Sequence, residues 1–587
     1  MKKLFIILIV LLIGSELFAQ KKISETGLIN KDRTADFEYL SAPDSIGIRT
    51  QLKMPSQNLN KTQAQLKLPY PIIFIHGLNS NCETWNSFTN YLDLSYGLTY
   101  GGRIDYCLNH DVSNYTSNLS SDLTLYTAST SLIVGDYYFI NFDIGIDGSF
   151  HPNGNANEVL SNQSAIAKQG RAVADAIQII LQKTGKGKVI LMTHSMGGLA
   201  ARDYLQNWVQ TDGFHHVAKL ATTGTPHGGS DRGTGGVALS GVDCKSEAYR
   251  DLRTTYSGSG DPGIYLFGGV ENNTVTDLSF CSNFYNVDVN CNGTINENVT
   301  GLNNKAIPLD VSYACAIGIG STLGGDGAVG QNQANLNNYV ALTFPADIFI
   351  LNEPSSGSTT SMWHTDLPLL VEANINLLDE PNEYSLSYDI NYGITYTGFT
   401  TRQSVKGYKY DYNDYDNYKF SLLTNSDVNV NVSNIALSNL MVRIIDSSGT
   451  TIGSIVKSNG ASSVNFSRNL VAGDYYLEIY GTPTSSSYKY PYNFILNSNS
   501  VNGVSEITNE MNFLIYPNPA SELLTIKTSS IEALGSFYTI NDQLGREVLN
   551  GKLTDNTKII DLNNLPKGFY LIQISKNKKQ TFKFIKE

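Results

Sequence analysis

The sequence predicts an α/β domain followed by all-β domains, and three observations carry that reading. Apolar runs such as Pro71-Ile72-Ile73-Phe74-Ile75 and Val189-Ile190-Leu191-Met192 read as buried strands that end in glycine-bearing turns, the second of them opening a helix at Leu199-Ala200-Ala201-Arg202. After Asp379-Glu380-Pro381-Asn382 this alternation stops, and short β signals rich in Tyr, Ser and Asn take over. At 587 residues the chain is also too long for one hydrophobic core.

Residues 1–19 read as a secretory signal: Lys2-Lys3 is basic, Leu4 to Ile13 is apolar, and Leu17-Phe18-Ala19 suits a cleavage site. A retained membrane anchor is the alternative, but a bilayer span needs about 20 apolar residues and this run is shorter. No cysteine follows the cleavage point to carry a lipid. The formal net charge of −12 argues against a nucleic-acid partner and against an electrostatic grip on anionic membranes.

Thr193-His194-Ser195-Met196-Gly197-Gly198 stands where a strand gives way to a helix. A serine hydroxyl becomes a useful nucleophile only when it is exposed to a base, so it belongs at the tip of a sharp strand-to-helix turn flanked by small residues. Ser195 and Gly197 fit that pattern; Thr193 stands where glycine is usual. Upstream, Phe74-Ile75 runs into His76-Gly77-Leu78-Asn79, a loop suited to presenting backbone N–H groups. The N–H groups of Leu78 and Met196 are the expected holders of an oxyanion. His76 is read as a structural residue that orients the loop.

A third segment, Gly224-Thr225-Pro226-His227-Gly228-Gly229, follows the strand Val217-Ala218-Lys219-Leu220-Ala221-Thr222. With these three motifs in this order, residues 65–375 resemble the bacterial lipase and esterase branch of the α/β-hydrolase superfamily and are similar to GPI-inositol-deacylase-like hydrolases. The resemblance implies an α/β-hydrolase sheet and a triad ordered nucleophile, acid, histidine. Strand Val311 to Ile317 leads to Gly324-Gly325-Asp326-Gly327-Ala328-Val329, which places Asp326 at the acid position, with Asp347 and Asp366 as substitutes. Only one histidine follows, His364. His364 would accept the Ser195 proton, Asp326 would fix the imidazole tautomer, and a covalent acyl-serine would form; these steps require no metal or organic cofactor.

The catalytic domain is expected over residues 20–380, with a lid-like insertion at about 230–310. Tyr249, Leu252, Tyr256 and Ile264-Tyr265-Leu266-Phe267 could line an acyl pocket there, but packing onto the sheet would demand the same composition. Within the insertion, Asp288, Asn290 and Asn292 with Gly293 match the first half of a calcium loop, a candidate site for structural calcium. Position 12 is Val299 where a bidentate carboxylate is usual, and Glu297 lies nearby; an Asn-rich turn without metal is the alternative. The six cysteines are all in this domain and their even number suggests disulfides, Cys82 with Cys107, Cys281 with Cys291 and Cys244 with Cys315; free buried thiols are the alternative.

Residues 384–500 carry period-two alternation in Asp427-Val428-Asn429-Val430-Asn431-Val432 and strand signals at Leu440 to Asp446 and Ala472 to Ile479. This segment resembles a bacterial pre-peptidase C-terminal β-sandwich, a module that binds a surface or polymer or spaces the enzyme. Residues 510–587, with Tyr516-Pro517-Asn518-Pro519, Asp542-Gln543-Leu544-Gly545-Arg546 and Leu565-Pro566-Lys567-Gly568-Phe569-Tyr570, resemble the type IX secretion C-terminal sorting domain, also a small β-sandwich. That resemblance implies the type IX secretion machinery as a partner, export across a Gram-negative outer membrane to the medium or the cell surface, and removal of the unit afterwards. The expected protein is an exported serine hydrolase of lipid or other acyl esters. An amide-cleaving serine peptidase or amidase, and an inactive surface adhesin, are the rival readings.

Overall fold

The structure, a computed structural model, describes residues 29–33, 38–39, 65–108, 124–127, 131–145, 147–151, 160–210, 212–230, 246–254, 263–271, 274–275, 284–285, 288–292, 294–320, 325–351, 363–401, 414–456, 461–482, 489–500, 513–528, 533–543, 545–576 and 579–587. The expected signal at 1–19, Cys244, Tyr256 and Cys281 lie outside them.

The first part of the chain builds a nine-stranded sheet. Its strands, numbered along the chain, are β1 (Ile29–Arg33), β2 (Ile72–Ile75), β3 (Tyr100–Cys107), β4 (Thr124–Thr127), β5 (Tyr137–Asn141), β6 (Val189–His194), β7 (Val217–Thr223), β8 (Ser312–Gly318) and β9 (Asp347–Leu351). Their spatial order is β1-β4-β3-β5-β2-β6-β7-β8-β9. From β3 to β9 neighbours run parallel, and β4 and β1 add an antiparallel edge. Every residue of β2, β5, β6, β7 and β8 is buried, which is why these strands read as unbroken apolar runs rather than alternations.

Helices pack on both faces. The long helix α1 (Ile166–Thr184) packs on α2 (Met196–Asn207), and Gly170 permits close approach because a Cβ there would collide with the Asp203 carboxylate. The C-terminus of α1 is closed by Gly185 at φ 67°, whose N–H bonds Leu181 O. Its N-terminus is capped from the insertion: Glu247 Oε2 accepts from Ala165 N at 2.9 Å and Asp251 Oδ2 from Ile166 N at 3.0 Å. Leu252, Ile264, Tyr265 and Leu266 join the same core, and the Tyr265 hydroxyl donates to Asp203 at 3.1 Å. These segments of the insertion, around Glu247 to Leu252 and Ile264 to Leu266, are therefore packed onto α1 and α2.

On the other face, Ile72, Phe74, Ile190, Met192, Ala221 and Ala316 meet Trp85, Phe88 and the helix α3 (Val371–Leu378), and this core continues without a break into the following β-sandwich. That sandwich pairs a five-stranded sheet, in the order Tyr388–Asp389, Asp414–Leu422, Gly473–Thr482, Ser438–Asp446 and Thr451–Val456, with a four-stranded one, in the order Thr395–Gly398, Tyr492–Ser500, Ser426–Ser433 and Ser463–Leu470. Val428, Val430 and Val432 point into its core, as the period-two pattern requires. The sandwich is joined to the α/β part by a stack of Phe399 on Tyr96 with centroids 5.1 Å apart, by Thr397 N to Lys67 O at 2.7 Å, and by a Tyr70–Asp389 exchange in which each partner donates at 2.9 Å.

The chain divides into two compact units, Met1–Val501 and Asn502–Glu587. The second holds a three-stranded sheet, Phe513–Tyr516, Leu523–Thr528 and Thr557–Asp561, and a four-stranded one in the order Glu547–Lys552, Phe537–Asn541, Gly568–Ser575 and Lys579–Lys586, around Leu524, Ile526, Ile540, Ile572 and Phe584. Among the described residues no helix is long and apolar enough to cross a membrane.

The disulfide expectation is corrected. Cys82, Cys291 and Cys315 carry free, buried thiols, and Cys107 is buried. Cys82 sits on the Phe74 face while Cys107 packs with Tyr126 and Ile144, so the two thiols belong to separate clusters. Cys291 donates its S–H to Asp288 O at 3.8 Å, and Cys315 lies 3.9 Å from His227 Nε2.

Candidate active site

The turn after β6 holds Ser195 at φ 54° and ψ −130°, a conformation that costs a non-glycine residue strain and that lifts its side chain clear of strand and helix. Close packing makes the turn possible. A Cβ on Gly197 would sit 2.5 Å from His76 O, one on Gly198 would enter the Thr225 side chain, and one on Gly77 would sit 2.6 Å from Ser195 Cβ. Thr193, the departure from the usual glycine, is tolerated because its side chain faces β7, where its hydroxyl donates to Ala221 O at 3.1 Å. Ser195 N donates to Thr223 O at 2.9 Å, fixing the elbow to the next strand.

The acid and the histidine come from the carboxyl ends of strands farther along the sheet. Asp326 follows β8 in a turn that needs positive φ at Gly325 (54°) and Gly327 (94°), and the Gly325 Cα lies so close to Val329 O that no side chain fits. Its Oδ1 accepts from Val329 N at 2.7 Å and Ala328 N at 3.0 Å, and its Oδ2 meets His364 Nδ1 at 2.8 Å. His364 N also donates to Asp326 O at 2.9 Å. Burial pushes the Asp326 carboxyl up, but the His364 imidazole and the two N–H donors outweigh it and hold its pKa below the usual value.

Gly224, directly after β7, lies under the His364 ring: a Cβ there would be 3.0 Å from Nδ1 and Cε1. His194 lies beside it, its ring centroid 4.7 Å from that of His364 and its Nε2 3.0 Å from His364 O. His364 thus stands against Asp326 and beside His194, the residue that precedes Ser195 in the chain. Asp347 opens β9 and Asp366 lies in the helical turn after His364; neither is the carboxylate that meets the imidazole.

Leu78 follows Gly77 beside the Ser195 side chain, and Met196, fully buried, opens α2 directly after it. His76 is buried and pushed down to about 4, and since its Nε2 accepts from Phe142 N at 2.9 Å, its proton resides on Nδ1, facing Gly77 O. That neutral ring ties the loop to the end of β5. His227 is also buried: Thr222 Oγ1 and Cys315 flank its Nε2, Arg202 flanks Nδ1, and burial followed by that guanidinium holds its pKa well below the usual histidine value.

Asp288, Asn290 and Asn292 form a tight turn in which Asp288 Oδ1 accepts from Asn292 N at 3.1 Å and Asn292 Oδ1 from Thr294 N at 2.7 Å. Away from this loop, ligand atoms of Asp379, Asp414 and Asp416 lie within 4.8 Å of one another where the sandwich meets the α/β part. Sequence reasoning passed over two residues here. His194 is one; its signal was its place beside the nucleophile. Glu271 is the other, and its only signal lies in folding, which sets it against the Asp288 loop.

Residues 69–235 match the family model described as the PGAP1-like alpha/beta domain, and residues 514–587 that of the secretion system C-terminal sorting domain. Two triacylglycerol lipases, from Pseudarthrobacter phenanthrenivorans and Burkholderia plantarii, are each 28% identical over 162 residues, which is 28% of this chain and 34% and 31% of theirs. The chain thus spans about a third of the length of these curated relatives. Among solved structures, the gene lin2722 product of Listeria innocua is 14% identical, with coverage of 52% of this chain and 91% of that one and a TM-score of 0.28. The pre-peptidase C-terminal domain of collagenase from Bacillus anthracis is 15% identical, with coverage of 21% and 99% and a TM-score of 0.15. The chain carries a PGAP1-like alpha/beta hydrolase domain with triacylglycerol lipases among its homologues, and it ends in a type IX secretion C-terminal sorting domain.

Proposed function

We propose that the protein is an exported serine hydrolase that cleaves carboxylic esters, lipids foremost, through an acyl-serine intermediate. The observation that carries this reading is the 2.8 Å Asp326–His364 contact, with the His364 ring against His194, the neighbour in the chain of a serine held at positive φ on a strand-to-helix turn. With the Nδ1 proton of His364 held by Asp326, Nε2 keeps a lone pair and removes the Ser195 hydroxyl proton as Oγ attacks the acyl carbonyl. The oxygen that gains charge is met by the N–H groups of Leu78 and Met196. Nε2–H then protonates the departing alkoxide, and water repeats the sequence on the acyl-serine. Asp326 stays ionised throughout and stabilises the imidazolium. Every step uses the chain's own groups, so no metal or organic cofactor is invoked.

The homologous triacylglycerol lipases favour lipid esters as substrates, and the sorting domain favours delivery by the type IX machinery to the medium or the outer-membrane surface of a Gram-negative bacterium. In this reading residues 1–19 are the signal, 20–380 the catalytic domain, 384–500 an accessory sandwich and 510–587 the sorting unit. A serine-directed phosphonate should label the purified protein and fail to label Ser195→Ala, and a panel of esters of increasing chain length should locate the acyl preference. Faster turnover of matched amides would make it a peptidase or amidase. A folded protein that no phosphonate labels would be the inactive adhesin.

A further inference from the structure

The Asp288 turn is incomplete as a calcium loop only when it is considered along the chain. Folding brings a carboxylate from outside it. Gly269–Val270 pairs antiparallel with Asn298–Val299, and Glu271 N continues the ladder to Glu297 O at 2.9 Å, so Glu271 and Glu297 stand side by side. Glu271 Oε1 accepts from Val289 N at 2.5 Å, the N–H between Asp288 and Asn290, which aims the carboxylate into the loop. Glu271 and Asp288 are each only 1% exposed. Glu271 Oε2 is buried with no hydrogen-bond partner.

A buried carboxylate oxygen with no donor is costly. Of the nearby cations, Lys168 bonds Glu247 at 3.1 Å and Arg250 bonds Asp251 through Nε at 2.7 Å, while Arg250 Nη1 and Nη2 are buried with no hydrogen-bond partner. What converges on Glu297 Oε1 is a pair of side-chain amides, Asn290 Nδ2 at 2.5 Å and Asn292 Nδ2 at 2.6 Å. Their Oδ1 atoms accept from Asn292 N at 3.3 Å and Thr294 N at 2.7 Å, and each keeps a second lone pair. Hard oxygen donors, some anionic and some neutral, are the ligand chemistry of calcium rather than of magnesium or zinc.

We propose that Asp288, Asn290, Asn292, Glu297 and Glu271 form a calcium site, in which Glu271 supplies from a neighbouring segment the carboxylate that Val299 denies to position 12 of the loop. The ion would pin the end of the insertion, since Val289, Cys291 and Val299 are buried in the core shared with α1 and α2. It is independent of the hydrolase chemistry.

Equilibrium dialysis of the full chain against calcium chloride, with a parallel melting curve, tests this. The wild type should bind calcium at about 1 mM or below and melt on the order of 5 °C higher with calcium than with chelator. Glu271→Gln and Asp288→Asn should each lose one bound calcium and most of that rise. Asp416→Asn, which alters the separate carboxylate group at the sandwich, should keep this ion. Should Glu271→Gln fail to fold, Glu297→Gln, at a half-buried position, carries the same expectation. Unchanged stoichiometry and melting response in the loop variants, or no calcium bound by the wild type at about 5 mM, would overturn the proposal.

Discussion

The ring of His194 lies against the ring of His364 with centroids 4.7 Å apart, and its Nε2 donates to the His364 backbone oxygen at 3.0 Å. Burial first, and then the neighbouring His364, push His194 down to about 3, so it is a neutral ring serving as a hydrogen-bond donor. It bears on the segment that carries the imidazole, not on the reacting atoms. His194→Ala should lower kcat by about 10- to 100-fold with KM little changed, because a displaced general base is costly even when substrate still binds. His194→Gln, which restores an N–H near the same place, should recover most of the loss; equal defects in both variants would remove the positioning role.

His227 and His364 occupy motif-like segments, and only one meets a carboxylate. His364→Ala should match Ser195→Ala, each losing about 10⁴- to 10⁶-fold in ester turnover, because triad members act as a unit. His227 is packed between Arg202, Thr222 and Cys315, so His227→Ala should retain turnover while destabilising the fold by about 2 kcal/mol. Steady-state kinetics with circular dichroism on each variant checks both halves. An inactive, folded His227→Ala beside an active His364→Ala would reverse the assignment.

The parts of the site legible in the sequence are those whose backbone geometry restricts residue choice. Ser195 needs small neighbours at its elbow, and Asp326 needs Gly325 and Gly327 at positive φ, so both leave a pattern along the chain. The strands β2, β6, β7 and β8 were legible for a similar reason, since burial on both faces leaves unbroken apolar runs. What was not legible depends on contacts between distant segments. Period-two alternation says that Val428 and Val430 face a core, but not that this core continues into the one around Phe74. Glu271 precedes the Asp288 loop by 17 residues, and nothing local marks it as that loop's neighbour. The cysteine count suggested pairs, but Cys82 and Cys107 are satisfied by separate apolar clusters.

Processing should follow the division of the chain. Asn502–Glu587 is a compact unit with its own core around Leu524, Ile540 and Ile572, so its removal need not disturb the preceding domains. Mass spectrometry of the exported protein should find residues 1–19 and the region after about 510 absent, while cell-retained precursor keeps both. Exported protein retaining Tyr516-Pro517-Asn518-Pro519 would count against removal of the sorting unit.

Stability of the first unit should fall as pH rises, and the reason is a proton count. Glu380 Oε1 meets Tyr418 OH at 2.9 Å, Tyr418 OH meets Tyr492 OH at 2.7 Å, and Tyr492 OH meets Asp416 Oδ2 at 2.6 Å. Three hydrogen bonds need three protons, and the two hydroxyls supply only two, so one carboxyl of the chain must be protonated. Burial, followed for Asp416 by the nearby carboxylates, accordingly pushes both Glu380 and Asp416 up, and burial raises Asp414 to about 6. An unfolded carboxyl titrates near 4, so the folded state holds protons that the unfolded chain releases between about pH 4 and these raised values. Their contribution is complete below about pH 4 and is lost as pH rises through about 6 and beyond. Calorimetry in excess chelator should record a melting temperature that declines across this window for the transition containing the sandwich. Asp416→Asn, whose amide can donate to Tyr492 without an added proton, should flatten the decline; a variant with the same slope as the wild type would show that the chain of hydroxyls does not govern it.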